Sequence, residues 1–256
     1  MAKHSTLLIA LLLASGPALA DRQVDADGFT NPLQNLNFNP GLDQQEFERA
    51  SNDALQVYDP LESWNRRIYH FNYRFDQWVF LPVVDGYRYI TPDLVETGVH
   101  NFFSNLGEVP TLANSLLQLK GKRAMNSTAR LLFNTILGVG GLWDPATHMG
   151  LPKVREDFGQ TLGHYGVPAG PYLMLPLLGP SNLRDTTGLV ADYGLATAVN
   201  YLDVAEASRA NPGITLLDVV DQRANTNFRY GQLNSPFEYE KIRYFYHESR
   251  KLKIAD

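Results

Sequence analysis

The side chains that could carry out acid–base or nucleophilic chemistry are few and widely scattered along this chain. The six histidines lie at positions 4, 70, 100, 148, 164 and 247. His164 and Tyr165 are adjacent and could move a proton, but no catalytic partner accompanies them at a known spacing. The sequence contains no Gly-x-Ser-x-Gly elbow, no His-Glu-x-x-His zinc motif and no phosphate-binding loop. We therefore predict no catalytic site, no metal site and no cofactor, and favour a hydrogen-bonded structural role for His164.

A long segment almost free of charge is the most informative feature of the chain. Phe158 to Leu183 contains 26 residues without a formal charge, enough for a bilayer-spanning helix. Pro168, Pro171, Pro176 and Pro180 interrupt it and forbid a continuous helix. Irregular backbone beside lipid persists only where protein covers it or where it borders a wet cavity. The segment predicts either a protein that handles apolar material or a buried core hairpin.

Composition narrows the class of protein. The chain has 256 residues, 44% of them hydrophobic, which is enough to bury a sizeable core. Its formal net charge of -5 gives no basic field that would attract nucleic acid, so we expect no nucleic-acid partner. The chain contains no cysteine, which excludes disulfides, thiolate metal sites and a lipid-modified N-terminal cysteine.

The first residues have the features of an export signal. Lys3 is followed by the apolar run Leu7 to Ala14 and by the small-residue cleavage site Ala18 to Ala20. We predict that residues 1–20 are a cleaved signal peptide and that residues 21–58, which lack a sustained hydrophobic period, are a flexible leader. Without a lipidated cysteine, any membrane attachment must come from the fold itself.

A single helical domain is predicted for residues 59–256. Asp59 could cap a helix with Pro60 at its first position and Glu62 in the first turn, and Pro82 should end that helix. One apolar face is predicted at Leu61, Trp64, Ile68, Phe71, Phe75 and Trp78. Base rates favour a core position for these aromatic residues, and contact with a membrane interface is the alternative.

The remaining segments also have helical patterns, and none alternates as a strand would. A capping Thr91 followed by Pro92 opens a second helix. Further helices are predicted over Val109–Leu119, Arg123–Leu137, Leu183–Ala207, Ile214–Tyr230 and Phe237–Ile254. The sequence therefore predicts an all-α fold.

Four blocks of sequence resemble a known family. In order, they are Asp59-Pro60-Leu61-Glu62-Ser63-Trp64-Asn65-Arg66, Tyr69-His70-Phe71-Asn72, Asn134-Thr135-Ile136-Leu137-Gly138-Val139-Gly140-Gly141 and Phe158-Gly159-Gln160-Thr161-Leu162-Gly163-His164-Tyr165-Gly166. Together they resemble the signature blocks of the MlaA (VacJ) family. The similarity extends from Asp59 to about Asp192.

The resemblance implies a fold, a location and a function. It implies an all-α, ring-shaped assembly that lies in one leaflet of the outer membrane, at its periplasmic face, with a central amphipathic channel. Such a protein removes mislocalised phospholipid from the outer leaflet and passes it to a soluble periplasmic lipid carrier, which maintains lipid asymmetry. It also associates with a trimeric porin, and it is not an enzyme.

The resemblance also assigns roles to particular residues. Phe71 and Asn72 would regulate the channel, with a core position for Phe71 and a bond from Asn72 to its own helix as alternatives. The residues expected to line the channel and its mobile hairpin are Asn134, Ile136, Leu137, Gly138, Gly140, Gly141, Gly163, His164 and Tyr165. The three glycines at 138, 140 and 141 could act as a pivot or form a helix cap and tight turn.

Two other function classes stay open on the sequence alone. One is a structural envelope protein that braces a porin and moves no lipid. The other is a periplasmic lipid hydrolase, whose catalytic groups would have to be assembled in space from distant segments.

Overall fold

The computed structural model describes residues 57–233 and 237–256, and helices account for most of them. The predicted signal peptide and nearly all of the predicted leader lie outside these residues. In chain order the elements are α1 (Glu62–Phe75), a π-helical turn (Asp76–Phe80), α2 (Leu81–Ile90), α3 (Asp93–Leu106), α4 (Glu108–Leu117), α5 (Gly121–Ile136), α6 (Pro145–His148), α7 (Phe158–His164), β1 (Tyr172–Leu175), β2 (Gly179–Asn182), α8 (Leu183–Val199), a 3₁₀ turn (Tyr201–Asp203), α9 (Val204–Ala210), α10 (Pro212–Ala224) and α11 (Glu238–Ala255). The predicted all-α class is confirmed.

The first helix does not end at Pro82 as predicted. The backbone widens into the π-helical turn, where the Leu81 amide donates to the Asp76 carbonyl, and then continues through α2 to Ile90. Pro82 lies in the first turn of α2, where a missing amide proton is tolerated. The helix therefore continues past Pro82, which follows the π-helical turn.

Both predicted capping side chains are wrong, although both helices form. Helix α1 begins at Glu62 without a side-chain cap, and so does α3 after Pro92. The Asp59 carboxylate instead accepts a bond from Asn65 Nδ2 at 2.8 Å and pairs with Arg243 at 3.1 Å. Asp59 therefore ties the start of α1 to α11.

The proline-rich apolar segment contains a short antiparallel β-hairpin, which the helical pattern did not predict. Tyr172 pairs with Asn182 and Leu175 with Gly179. The side chains of Tyr172 and Met174 point into the interior and are almost fully buried. The alternative of a buried core hairpin is thus correct for this part of the segment.

The predicted helix over 183–207 is divided in two. Asn200 adopts the left-handed conformation, with φ of 44°, at the end of α8. Asparagine tolerates this conformation better than most residues do, because its short side chain bonds locally. Here Asn200 Oδ1 accepts the Ala205 amide at 2.9 Å, which positions the start of α9.

The apolar core is small and mostly aromatic. It lies where α1, the hairpin and α11 meet, and consists of Tyr69, Tyr172, Met174, Tyr239 and Ile242. The Tyr239 ring packs edge-on against Tyr69 and Tyr172, with centroids 5.8 and 6.1 Å away. Such edge-to-face pairs stabilise a core beyond the area that they bury.

The interior formed by α4 and α5 is polar. Arg130 is only 1% exposed and lies among four acceptors from two other segments. Its guanidinium group bonds to Glu108 at 2.7 Å, Asp144 at 3.0 Å, Thr147 at 3.1 Å and the Leu151 carbonyl at 2.9 Å. Burial alone would raise the pKa of Asp144, but hydrogen bonds from Thr147 and Arg130 outweigh it and hold the pKa at about 2.

The outer surface, in contrast to this polar interior, exposes many large apolar side chains. Along α1 and the π-helical turn, much of the face predicted to enter the core is exposed, with Trp64 57% and Trp78 76% accessible, whereas Asn65, Asn72 and Asp76 are buried. The core prediction is therefore wrong for Trp64, Phe71 and Trp78, while Ile68 does pack against the core. Burying polar groups while exposing large apolar ones suits a surface that faces lipid. Among the described residues, no helix combines the length and hydropathy needed to cross a membrane.

Candidate functional site

A cavity of about 430 Å³ lies among α3, α4, α8, α9 and α10. Part of its wall is apolar and part is charged. The apolar part includes Phe103, Leu106, Val109, Val204 and Ile214, and the charged or titratable part comprises His100, Arg155, Arg209, Asp218 and Asp221. A wall of this kind suits an amphiphile, because apolar chains and a charged group can be accommodated in the same space.

The acidic side of the cavity is held by side-chain hydrogen bonds. Asp221 is 1% exposed, lies 3.0 Å from His100 Nδ1 and accepts a bond from Asn225 at 3.1 Å. Asp218 accepts a bond from Gln222 at 2.9 Å, and burial raises the pKa of its carboxyl group. The acidic wall is therefore fixed in place before any ligand enters.

The basic side is left open. Arg155 and Arg209 both line the cavity, and within the part of the chain that the structure describes neither guanidinium group bonds directly to a carboxylate. The charge of Arg155 partly offsets the effect of burial on the pKa of Asp218 across the cavity. Unpaired arginines beside a cavity are suited to bind phosphate, since the guanidinium group matches two phosphate oxygens at once.

None of the nine predicted channel residues lines this cavity, but the predicted hairpin supports its wall. Thr135 Oγ1 accepts a bond from Asn105 Nδ2 at 3.2 Å and also bonds to the hydroxyl group of Tyr201. Tyr201 itself lines the cavity, and Asn105 is flanked by two lining residues of α3. Gly141 lies against Asn105, because a Cβ atom added to it would be 2.9 Å from Asn105 Cβ. The structure thus connects the end of α5 to the cavity through two contacts.

The glycine-rich end of α5 forms a helix cap and tight turn. The Gly140 amide donates to the Thr135 carbonyl at 2.9 Å, and the Trp143 amide donates to Gly138 at 3.0 Å. Gly140 and Gly141 have φ of 71° and 97°, a region that favours glycine. The turn alternative therefore describes the backbone, and the role of these glycines as a pivot stays a prediction.

The other residues of the predicted hairpin lie at the ends of this turn. The Asn134 side chain accepts a bond from the Ala146 amide at 3.1 Å, which fixes the start of α6. Ile136 and Leu137 project outward, with Ile136 71% exposed. They therefore belong to the apolar outer surface, beside the turn.

At the end of α7 the predicted residues make structural contacts. Gly163 lies against Ile254 and Arg184, where a Cβ atom would come within 3.0 Å of both side chains. The Tyr165 hydroxyl donates to the Leu117 carbonyl, and its ring packs edge-on against His164 with centroids 5.2 Å apart. The Tyr165 hydroxyl thus links α7 to the end of α4.

Asn72 is buried, whereas the neighbouring Phe71 is exposed. The Asn72 side chain donates to the Leu175 carbonyl at 2.9 Å and accepts the Leu177 amide at 2.8 Å. Phe71 lies on the outer surface and is 47% exposed. The two alternatives, a core phenylalanine and an asparagine bonded to its own helix, are therefore both wrong, and Asn72 instead holds the turn of the β-hairpin.

Replacing Asn72 with alanine is expected to lower the free energy of unfolding by about 2 kcal/mol, because two backbone groups of the hairpin turn lose their partner. Phe71→Ala is the matched control on the next residue and should change that free energy by about 0.5 kcal/mol or less, since the side chain is exposed. Chemical unfolding in detergent, followed by circular dichroism, measures both. Equal losses for the two variants would contradict the contacts assigned to Asn72.

The cavity residues were missed by sequence reasoning for a simple reason. Arg155 lies in a cluster of charged residues that is visible in the sequence. The other charged or titratable residues come from distant segments, with more than 100 positions between the first and the last: His100, Arg209, Asp218 and Asp221. No local spacing connects them. Only the packing of α3 against α10 brings His100 to Asp221.

The fold and the cavity together define a helical protein with an apolar exterior and an amphipathic interior space. The chain belongs to the MlaA lipoprotein family, whose model matches residues 57–253. The resemblance drawn from the four sequence blocks is thus confirmed.

Several relatives support the assignment. An uncharacterised protein of Rickettsia felis is 36% identical over 256 residues, which cover 97% of this chain and 93% of that protein. The intermembrane phospholipid transport system lipoprotein MlaA of Escherichia coli K12 is 42% identical over 139 residues, 52% of this chain and 55% of that protein. The protein of the same name from Haemophilus influenzae is 29% identical over 212 residues, which cover 80% of this chain and 84% of that protein.

A solved structure has the same fold. It is described as "Structural basis for maintenance of bacterial outer membrane lipid asymmetry" and is 34% identical in sequence. It superimposes with a TM-score of 0.64 and covers 77% of this chain and 100% of that chain.

Proposed function

We propose that this protein transports phospholipid between membranes and so maintains the lipid asymmetry of the outer membrane. The observation that carries the proposal is the inverted distribution of side chains, with tryptophan and phenylalanine outside and arginine, asparagine and aspartate inside. A protein dissolved in water would expose the second set and bury the first. The names of the Escherichia coli and Haemophilus influenzae relatives support the same function.

The cavity supplies the two environments that a moving phospholipid needs. A charged head group crossing an apolar layer is costly unless it is paired, and acyl chains must stay out of water. Arg155 and Arg209 would bind the phosphate, while Phe103, Leu106 and Ile214 would contact the chains. We propose that this cavity is part of the central channel of a ring-shaped assembly and that the glycine-rich turn at the end of α5 controls its width through Asn105 and Tyr201.

Membership of the family supports a proposal for the location and partners. We propose that the protein lies at the periplasmic face of the outer membrane, removes mislocalised phospholipid from the outer leaflet and delivers it to a soluble periplasmic carrier, beside a trimeric porin. We propose that the exposed apolar faces of α1 and α5 hold the protein in the leaflet.

Filling the cavity should abolish transport. Ala205 on α9 lines the cavity, so Ala205→Phe should occupy it and leave outer-leaflet phospholipid at the level of cells that lack the protein. Ala207, on the same helix, is exposed and does not line the cavity, so Ala207→Phe is the matched control and should restore the normal level. Surface phospholipid in a deletion strain that expresses each variant in equal amount measures the effect.

The same pair of variants distinguishes the other function classes. A protein that only braces a porin should tolerate a filled cavity, so full restoration by Ala205→Phe would contradict the transport proposal. If the protein were a lipid hydrolase, the purified protein should release fatty acid from phospholipid. Release by the wild type that is absent in Ala205→Phe would also contradict the transport proposal.

A further inference from the structure

A second concave surface, separate from the cavity, lies on the outside of α1 and the π-helical turn. This outer groove has a volume of about 650 Å³ and is lined by Arg67, His70, Phe71, Arg74, Phe75 and Trp78 together with Val79. None of these residues lines the cavity described above. The outer groove therefore needs an explanation of its own.

The two arginines of the outer groove are unpaired. Within the described residues, neither Arg67 nor Arg74 bonds to a carboxylate, and no acidic residue lines the groove. The adjacent Arg66, in contrast, pairs with Glu62 at 2.7 Å and with Glu240. The nearby Asp76 is buried and committed to Arg223, with a bond of 2.7 Å. The outer groove thus keeps a local positive charge although the whole chain is acidic.

The spacing of the arginines places them on one face. They are seven residues apart, about 10 Å along the helix, and His70 lies between them. Phe71 and Phe75 pack against each other with centroids 5.8 Å apart, and the exposed Trp78 continues this aromatic surface by one turn. Cations beside exposed aromatic rings are typical of the level at which lipid head groups meet hydrocarbon.

We propose that the outer groove binds the phosphate of an anionic phospholipid that stays in the leaflet around the protein. The guanidinium groups of Arg67 and Arg74 would bind phosphate oxygens, and the acyl chains would lie along Phe75 and Trp78. This lipid is bound at the perimeter and is not the transported one. The inference rests on the proposed function in one respect, namely that the apolar exterior of the protein is in contact with lipid. It also places Phe71 in the wall of the groove that binds this lipid.

Binding to vesicles tests the proposal. The purified full-length protein should float with vesicles of phosphatidylcholine that contain phosphatidylglycerol more strongly than with phosphatidylcholine alone. Arg67→Gln and Arg74→Gln should each weaken binding to the anionic vesicles about fivefold, and the double variant about 25-fold. Binding to phosphatidylcholine vesicles should fall much less, because the choline cation offsets the charge of that phosphate. Arg67→Lys and Arg74→Lys should recover only part of the loss, because the charge is kept but the guanidinium geometry that matches two phosphate oxygens is lost.

The control is Lys122→Gln, which removes an exposed cation from the start of α5. If Lys122→Gln weakened binding as much as Arg67→Gln does, the effect would be one of diffuse charge and the proposal would be overturned. The proposal would also be overturned if the arginine variants lost as much binding on neutral vesicles as on anionic ones. Full competition by inorganic phosphate would also overturn it, since the site would then take free phosphate. These outcomes leave the Ala205→Phe test untouched, so failure of this site is distinguishable from failure of the transport function.

Discussion

Arg130→Ala is expected to lower the free energy of unfolding by about 3–5 kcal/mol, because it leaves the buried carboxylate of Glu108 and the partly buried carboxylate of Asp144 without their cation. Glu108 is 2% exposed and receives its bond from Arg130 at 2.7 Å. Asp144 loses the guanidinium group that helps to keep its pKa near 2, so the carboxyl should bind a proton more readily in the variant. Unfolding by urea in detergent at neutral pH measures the loss.

Two comparison variants make this prediction specific. Arg67→Ala removes an exposed, unpaired arginine and should change the free energy by about 0.5 kcal/mol or less. Arg130→Met combined with Glu108→Gln removes the charges of Arg130 and of its buried partner Glu108, and should cost less than Arg130→Ala alone, because a lone buried charge is the main penalty. An Arg130→Ala protein as stable as the wild type would contradict the proposed ion pairs.

Gly141→Ala is expected to impair both stability and lipid transport. The left-handed backbone at φ of 97° costs about 1–2 kcal/mol for any residue with a Cβ atom. The added methyl group would also lie 2.9 Å from Asn105, and such overpacking costs about 1–3 kcal/mol more. Asn105 is next to the cavity wall, so we expect outer-leaflet phospholipid to rise as the wall is displaced.

Gly140→Ala is the matched control for this variant. Gly140 also has a positive φ, of 71°, but no atom lies within 4 Å of an added Cβ atom. It should therefore lose only the strain energy, about 1–2 kcal/mol, and transport lipid normally. Surface phospholipid and the unfolding midpoint are measured for both variants. Equal transport defects would show that the turn acts through backbone freedom alone and would contradict the role assigned to Asn105.

Local signals in the sequence predicted most of the helices, because helix formation depends on patterns within a few turns. The helix over 109–119 lies within two residues of α4 (Glu108–Leu117), and that over 123–137 lies within two residues of α5 (Gly121–Ile136). The errors at Pro82 and Asp59 have one physical cause. The cost of a proline or an empty cap is small enough for tertiary contacts to override, such as those from Asp59 to Asn65 and Arg243.

The sequence by itself determined the helical class and the family. The helical periods and the four ordered blocks are properties of the chain alone, so they can be read without the tertiary structure. The tertiary structure decided which face of each helix is inside. A period of 3.6 residues defines two faces of α1 but does not tell whether lipid or protein covers the apolar one. The burial of Asn65 and Asn72 shows that the polar face is the inner one, because their side chains bond to the backbone of the β-hairpin more than 100 residues away. The cavity is decided in the same way, since its charged residues meet only when α3 packs against α10.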